Sequence, residues 1–122
     1  MSALGRGLLG MAVVILAGGA VMHARAFPKT VTAVAASNLP AFYANSLKAL
    51  WLIDSATLLT LAVLYALAAA RPASVSRATL ALTALIPAST AIFLYVFLGG
   101  FLPAHGLLAA AVLVWVAAIV AS

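Results

Sequence analysis

The chain has 122 residues, 68% of them apolar and 6% charged, where soluble domains carry about 45–50% and about 25%. A soluble domain this short needs much of its sequence as polar covering, and that covering is missing, so a water-soluble fold is excluded and lipid is the expected solvent. The formal charge of +5 comes from six Lys and Arg against one acid, Asp54, and there is no cysteine; basic residues scattered singly exclude a clustered nucleic-acid footprint, and the missing thiols exclude thiol catalysis, Cys-ligated zinc and disulfides.

A hydrocarbon core about 30 Å thick takes about 20 apolar residues to cross as a helix. Four runs meet that length. The first covers residues 4–22, with Arg6 near its start. A rival reading takes Arg6, the apolar run from Leu8 to Met22 and Ala24-Arg25-Ala26 as a secretory signal peptide with its cleavage site. That run is at the long end for such a role, so it is read as the first span.

Polar residues then accumulate from His23 to Asn38. A bare loop of that length is uncommon in a compact domain, which predicts a short interfacial turn or helix from Thr30 to Ala36. Ser37-Asn38 ahead of Pro40 supplies a cap and an early proline. Helix from there to Ala70 would measure near 48 Å at about 1.5 Å per residue, longer than the core, so the second span is placed at residues 48–70 with Pro40 to Leu47 among the headgroups. Arg71-Pro72 stops it.

The third span, residues 77–98, carries Pro87 near its middle. Proline removes a donor and crowds the carbonyl four residues back, so a kink is predicted, with Thr83, Ser89 and Thr90 as local candidates to satisfy the freed Thr83 carbonyl. Gly99 to Leu102 closes a tight hairpin, and Pro103 opens the fourth span, residues 103–120. The expected fold class is therefore all-α: a single transmembrane domain over residues 1–122, a four-helix bundle with an interfacial segment between the first two spans. Ala62, Ala66 and Ala70, then Ala84, Ala88 and Ala91, then Gly106 with Ala110 recur at the small-residue spacing that lets membrane helices approach closely.

Four spans gather His23, Tyr43, Asn45, Lys48, Trp51, Asp54 and His105 toward one end of the bundle. A carboxylate inside a span costs about 2.5–3.5 kcal/mol on insertion scales, so Asp54 is expected to face the interior with a partner, in a structural role or as a proton- or ligand-binding group. These seven residues are the candidate ligand or proton-binding set. No catalytic residue, metal site or cofactor is predicted; His23 and His105 are the only imidazoles able to ligate haem or a metal, and their spacing pre-forms neither site. Small multidrug exporters of similar length place an acidic residue in their first helix, which here has none, so similarity in size carries no function.

Three functions are compatible with this pattern. The first is a non-catalytic accessory subunit, or one binding lipid or another apolar ligand through the polar cluster. The second is an oligomeric proton-coupled transporter or channel using Asp54. The third, a membrane-embedded enzyme using His23, Asp54 and His105, is disfavoured because their spacing calls for no given reaction. Expected partners are membrane lipids and a membrane protein or further copies of the chain, with no nucleic acid. The expected location is a bacterial cytoplasmic membrane. Arg6, Arg71, Arg77 and the terminal amine nearly balance Arg25, Lys29 and Lys48, and the positive-inside rule leans toward both termini in the cytoplasm.

Overall fold

The structure, a computed structural model, describes residues 1–120. Helix α1 (Ala3–Arg25) opens at Ser2, whose hydroxyl accepts the Gly5 N–H at 3.1 Å. The same hydroxyl donates to the Val120 carbonyl at 2.9 Å, which ties the start of α1 to the end of the last helix. Gly5 is buried here. A β-carbon on it would lie 3.1 Å from Met1 Cγ and 3.5 Å from the Ala117 carbonyl, so a side chain there would press on Met1 and meet the last helix in ordinary contact.

The segment between the first two spans is helical. Helix α2 (Phe27–Ala35) follows α1 after a break at Ala26, where Pro28 lacks a donor and crowds the backbone four residues before it. It buries no residue and lies against the first turns of helix α3 (Ala41–Ala70). Ser37 does not cap α3 as its position suggests. Its hydroxyl donates to the Val34 carbonyl at 2.7 Å, closing the end of α2, while α3 starts after Pro40 with no side-chain cap bond.

A single 3-10 turn (Pro72–Ser74) leads to helix α4 (Arg77–Thr83), capped by Ser76 accepting the Thr79 N–H at 3.0 Å. Helix α5 (Leu85–Leu98) continues after Ala84, so the third span breaks as its proline requires, three residues before Pro87. None of the three local hydroxyls turns to the Thr83 carbonyl. Thr83 Oγ1 bonds the Thr79 and Leu80 carbonyls, and Ser89 and Thr90 both donate to Ile86. Gly99, at φ +77°, makes the left-handed turn that only glycine adopts freely, and helix α6 (Leu102–Ile119) descends from it.

Four helical stretches, Ala3–Ala35, Ala41–Ala70, Arg77–Leu98 and Leu102–Ile119, are long and apolar enough to cross a membrane. Together they form an all-helical four-helix bundle, and the protein is an integral membrane protein. Its buried positions recur at three and four: Leu9, Ala12, Leu16 and Ala20 on α1, Leu58, Leu61, Ala62, Tyr65 and Ala68 on α3, and Ala104, Leu107, Ala110, Ala111, Val114, Ala117 and Ala118 on α6. That spacing puts one stripe of each helix inward. The opposite faces remain apolar and exposed, as at Val14, Val63, Phe93, Val96 and Phe97, which suits a lipid solvent and no other.

Small residues carry the seams, though not all of those the spacing suggested. Ala62, Ala84, Ala88, Ala91 and Ala110 are buried, whereas Ala66 and Ala70 face outward and, with Arg6, Gly7 and Gly10, line a shallow groove between α1 and α3. The polar link in this core joins Tyr65, fully buried, to Thr83: the phenol donates to Thr83 Oγ1 at 3.2 Å. Thr83 has backbone partners of its own, so Tyr65→Phe should cost only about 0.5–1.5 kcal/mol of unfolding free energy in lipid nanodiscs. Thr83→Val should cost more, about 1–3 kcal/mol, because it leaves a buried phenol without an acceptor. Equal losses would show that the bond itself matters little.

Candidate functional site

Basic residues bracket the bundle at both ends. From Arg6 to Arg25 along α1 is about 28 Å, and from Lys48 to Arg71 along α3 about 34 Å, matching a hydrocarbon core of about 30 Å. His23, Trp51 and Asp54 fall just inside the Arg25 and Lys48 edge.

There α1 and α3 run antiparallel, and the last turn of one meets the first half of the other. The His23 ring stacks on the Trp51 indole with centroids 4.0 Å apart and planes 11° apart. The indole N–H donates to the His23 carbonyl at 2.7 Å. On the imidazole, Nδ1 lies 2.8 Å from Ser55 Oγ and Nε2 lies 3.5 Å from Asp54 Oδ2. Ser55 Oγ is also 3.1 Å from the Trp51 carbonyl. Ser55 is buried, and the His23 and Asp54 side chains are 26% and 36% exposed, so the pair is fixed from below and open on one side.

This geometry satisfies two protonation states without moving a heavy atom. With neutral His23, Ser55 O–H donates to Nδ1 and Nε2–H faces the carboxylate. With the imidazolium, Nδ1–H donates to Ser55 Oγ, whose own proton turns to the Trp51 carbonyl. At Nδ1 the two states differ, beyond the ring proton itself, only in the direction of one hydroxyl.

His105 does not join this group. Its Nδ1 lies 2.7 Å from the Tyr95 hydroxyl, across the Gly99-Gly100 hairpin. The register explains the separation: a β-carbon on Gly106 would contact Ile15 at 3.7 Å, so His105 is level with the middle of α1, about 12 Å of helix below His23. The expected single polar cluster is thus two, because α5 and α6 form a shorter hairpin than α1 and α3.

Of the remaining candidates, Asn45 and Tyr43 are exposed and Lys48 is partly covered. The Tyr43 ring stands edge-to-face with Phe42, centroids 5.5 Å apart. Ser55 escaped the sequence reading, although it sits four residues after Trp51, on the same face of α3, which is the signal that would have found it. Among the described residues no three His, Asp or Glu side chains stand close enough to hold a metal ion.

No family model, no curated protein and no solved structure matches the chain.

Proposed function

We propose that the protein is a non-catalytic membrane subunit that binds lipid or another apolar molecule, with the His23 and Asp54 cluster near one membrane face and the deeper Tyr95 and His105 pair holding the polar part of that ligand. One observation carries this reading. Below the His23 and Asp54 level the buried interior is aliphatic except for Tyr65, whose phenol bonds Thr83, with Trp115, bonded to the Ala81 carbonyl, and Tyr95 at its margin, while grooves open sideways along α1 toward the lipid. Ligands in such a protein enter from the bilayer rather than pass through it. The chain belongs, on this reading, in a bacterial cytoplasmic membrane beside lipids and a protein partner or further copies.

A second reading, proton-coupled transport by an oligomer, rests on the His23 and Asp54 contact and its two satisfied protonation states. It lacks a polar column toward the arginine end, where Thr60 bonds its own helix and Thr79 the Ser76 hydroxyl. The enzyme reading has less support, since Asp54 meets one imidazole and not both.

Proteoliposomes and native mass spectrometry separate these readings. The expected result is a protein that retains lipid through gentle extraction and leaves an imposed pH gradient intact. Collapse of the gradient by wild type but not by Asp54→Asn would replace the binding reading with the transport one.

A further inference from the structure

The Tyr95 and His105 pair heads a groove that runs down the lipid-facing side of the bundle. Its walls are Met11 and Ile15 of α1 and Leu108, Ala109, Val112 and Leu113 of α6, enclosing about 530 Å³. A second furrow, past Val14, Gly10 and Gly7, shares Met11 and Ile15 and continues it toward the arginine end. Beyond Tyr95 and His105 at its head the lining is aliphatic, so the length of the groove fits a hydrocarbon chain.

The polar head sets the other half of the ligand. The Tyr95 O–H needs an acceptor, and His105 Nδ1 at 2.7 Å provides one. With Nδ1 accepting, the ring proton sits on Nε2. Nε2 makes no bond to another described residue, and His105 is exposed. A donor in an apolar medium costs free energy until it finds an acceptor.

Depth identifies which acceptor is at hand. Helix α6 measures about 27 Å, and its hairpin ends several ångströms short of the level of Arg25. A bilayer adjusts to a short hydrophobic wall by thinning beside it, and the open backbone of Gly99 and Gly100 requires the polar zone to reach it. Such thinning would bring ester carbonyls to the turn, which lies beside the Nε2 edge: a β-carbon on Gly100 would be 3.9 Å from Nε2.

We infer that Tyr95 and His105 form a lipid site in which the imidazole Nε2–H donates to an ester carbonyl of a glycerolipid whose acyl chain lies in the Met11–Val112 groove. Tyr95 acts as a positioning residue that fixes the tautomer. Gly100 keeps the approach open, since any larger side chain there would lie over the imidazole edge. The inference rests on the ligand-binding reading above and assigns its ligand and its place.

The test is native mass spectrometry of the full chain, stripped of lipid and reloaded with a diester phospholipid or with the diether analogue of equal chain length, which lacks the carbonyl. Wild type should hold one diester lipid about five-fold better than the diether lipid, the discrimination expected of one hydrogen bond. His105→Leu should abolish that preference, His105→Gln should keep it by supplying an amide donor, and His23→Leu should leave it unchanged. Gly100→Leu, which leaves the pair in place, should abolish it as well, so a poorly folded His105→Leu does not decide the matter. Equal retention of the two lipids by wild type, or a preference that survives both His105→Leu and Gly100→Leu, would overturn the site while leaving ligand binding elsewhere on the bundle intact. If wild type held neither lipid, both the site and the binding function would fall.

Discussion

Trp51→Leu should destabilise the bundle by about 1–3 kcal/mol, more than the loss of the only acidic side chain, Asp54. Two contacts go with the indole: its hydrogen bond to the His23 carbonyl at 2.7 Å, worth about 0.5–1.5 kcal/mol, and the face-to-face contact with the His23 ring at 4.0 Å, worth about 0.5–1.5 kcal/mol. Both clamp the last turn of α1 to α3, where α2 adds no buried residue of its own. Asp54→Asn, by contrast, should cost below about 1 kcal/mol, since the carboxylate meets His23 Nε2 at 3.5 Å from a half-open position. Trp51→Phe should fall between, keeping a stacked ring and losing the bond. Chemical unfolding in nanodiscs, followed by tryptophan-independent circular dichroism, measures all three. An Asp54→Asn loss equal to that of Trp51→Leu would show that the charge pair, and not the indole, holds this end of the bundle.

The same comparison shows what the sequence can and cannot disclose. Four spans and their order are legible because length and apolarity act locally: each run either crosses about 30 Å or does not. Tyr95 and His105 were within reach, since each lies five positions from Gly100 and a tight hairpin aligns such positions. His23 and Ser55 were not, because α2 and the loop after it separate them, and the register of two helices joined by a long connection depends on packing. The separation of His105 from Asp54 was hidden for a related reason. Topology assigns residues to an end of the bundle, but depth within that end follows from relative helix lengths and slip, here fixed by contacts such as Gly5 against Ala117 and Gly106 against Ile15. The break in the third span was legible from Pro87, and the bond beside it was not, because the Trp115 indole that meets the Ala81 carbonyl comes from another helix.

The final carbonyls of a helix have no partner within it, and at the end of α4 the Leu80 carbonyl accepts the Ala84 N–H at 3.1 Å. The Ala81 carbonyl instead accepts the Trp115 indole N–H of α6 at 2.9 Å. Trp115→Phe keeps an aromatic ring in the seam and deletes this donor, leaving a carbonyl exposed to hydrocarbon, for an expected loss of about 1–3 kcal/mol. Pro87 is the cause of the break, because its ring crowds the backbone one turn earlier. Pro87→Ala should therefore allow the Leu85 N–H to close the ordinary helical bond to Ala81 and make the indole dispensable. In the Pro87→Ala background, Trp115→Phe should cost below about 0.5 kcal/mol, so the double-mutant cycle should show a coupling of roughly 1 kcal/mol or more. Strictly additive losses would mean that Ala84 interrupts the helix for a reason other than Pro87, and that the indole braces α4 against α6 whether or not the proline is present.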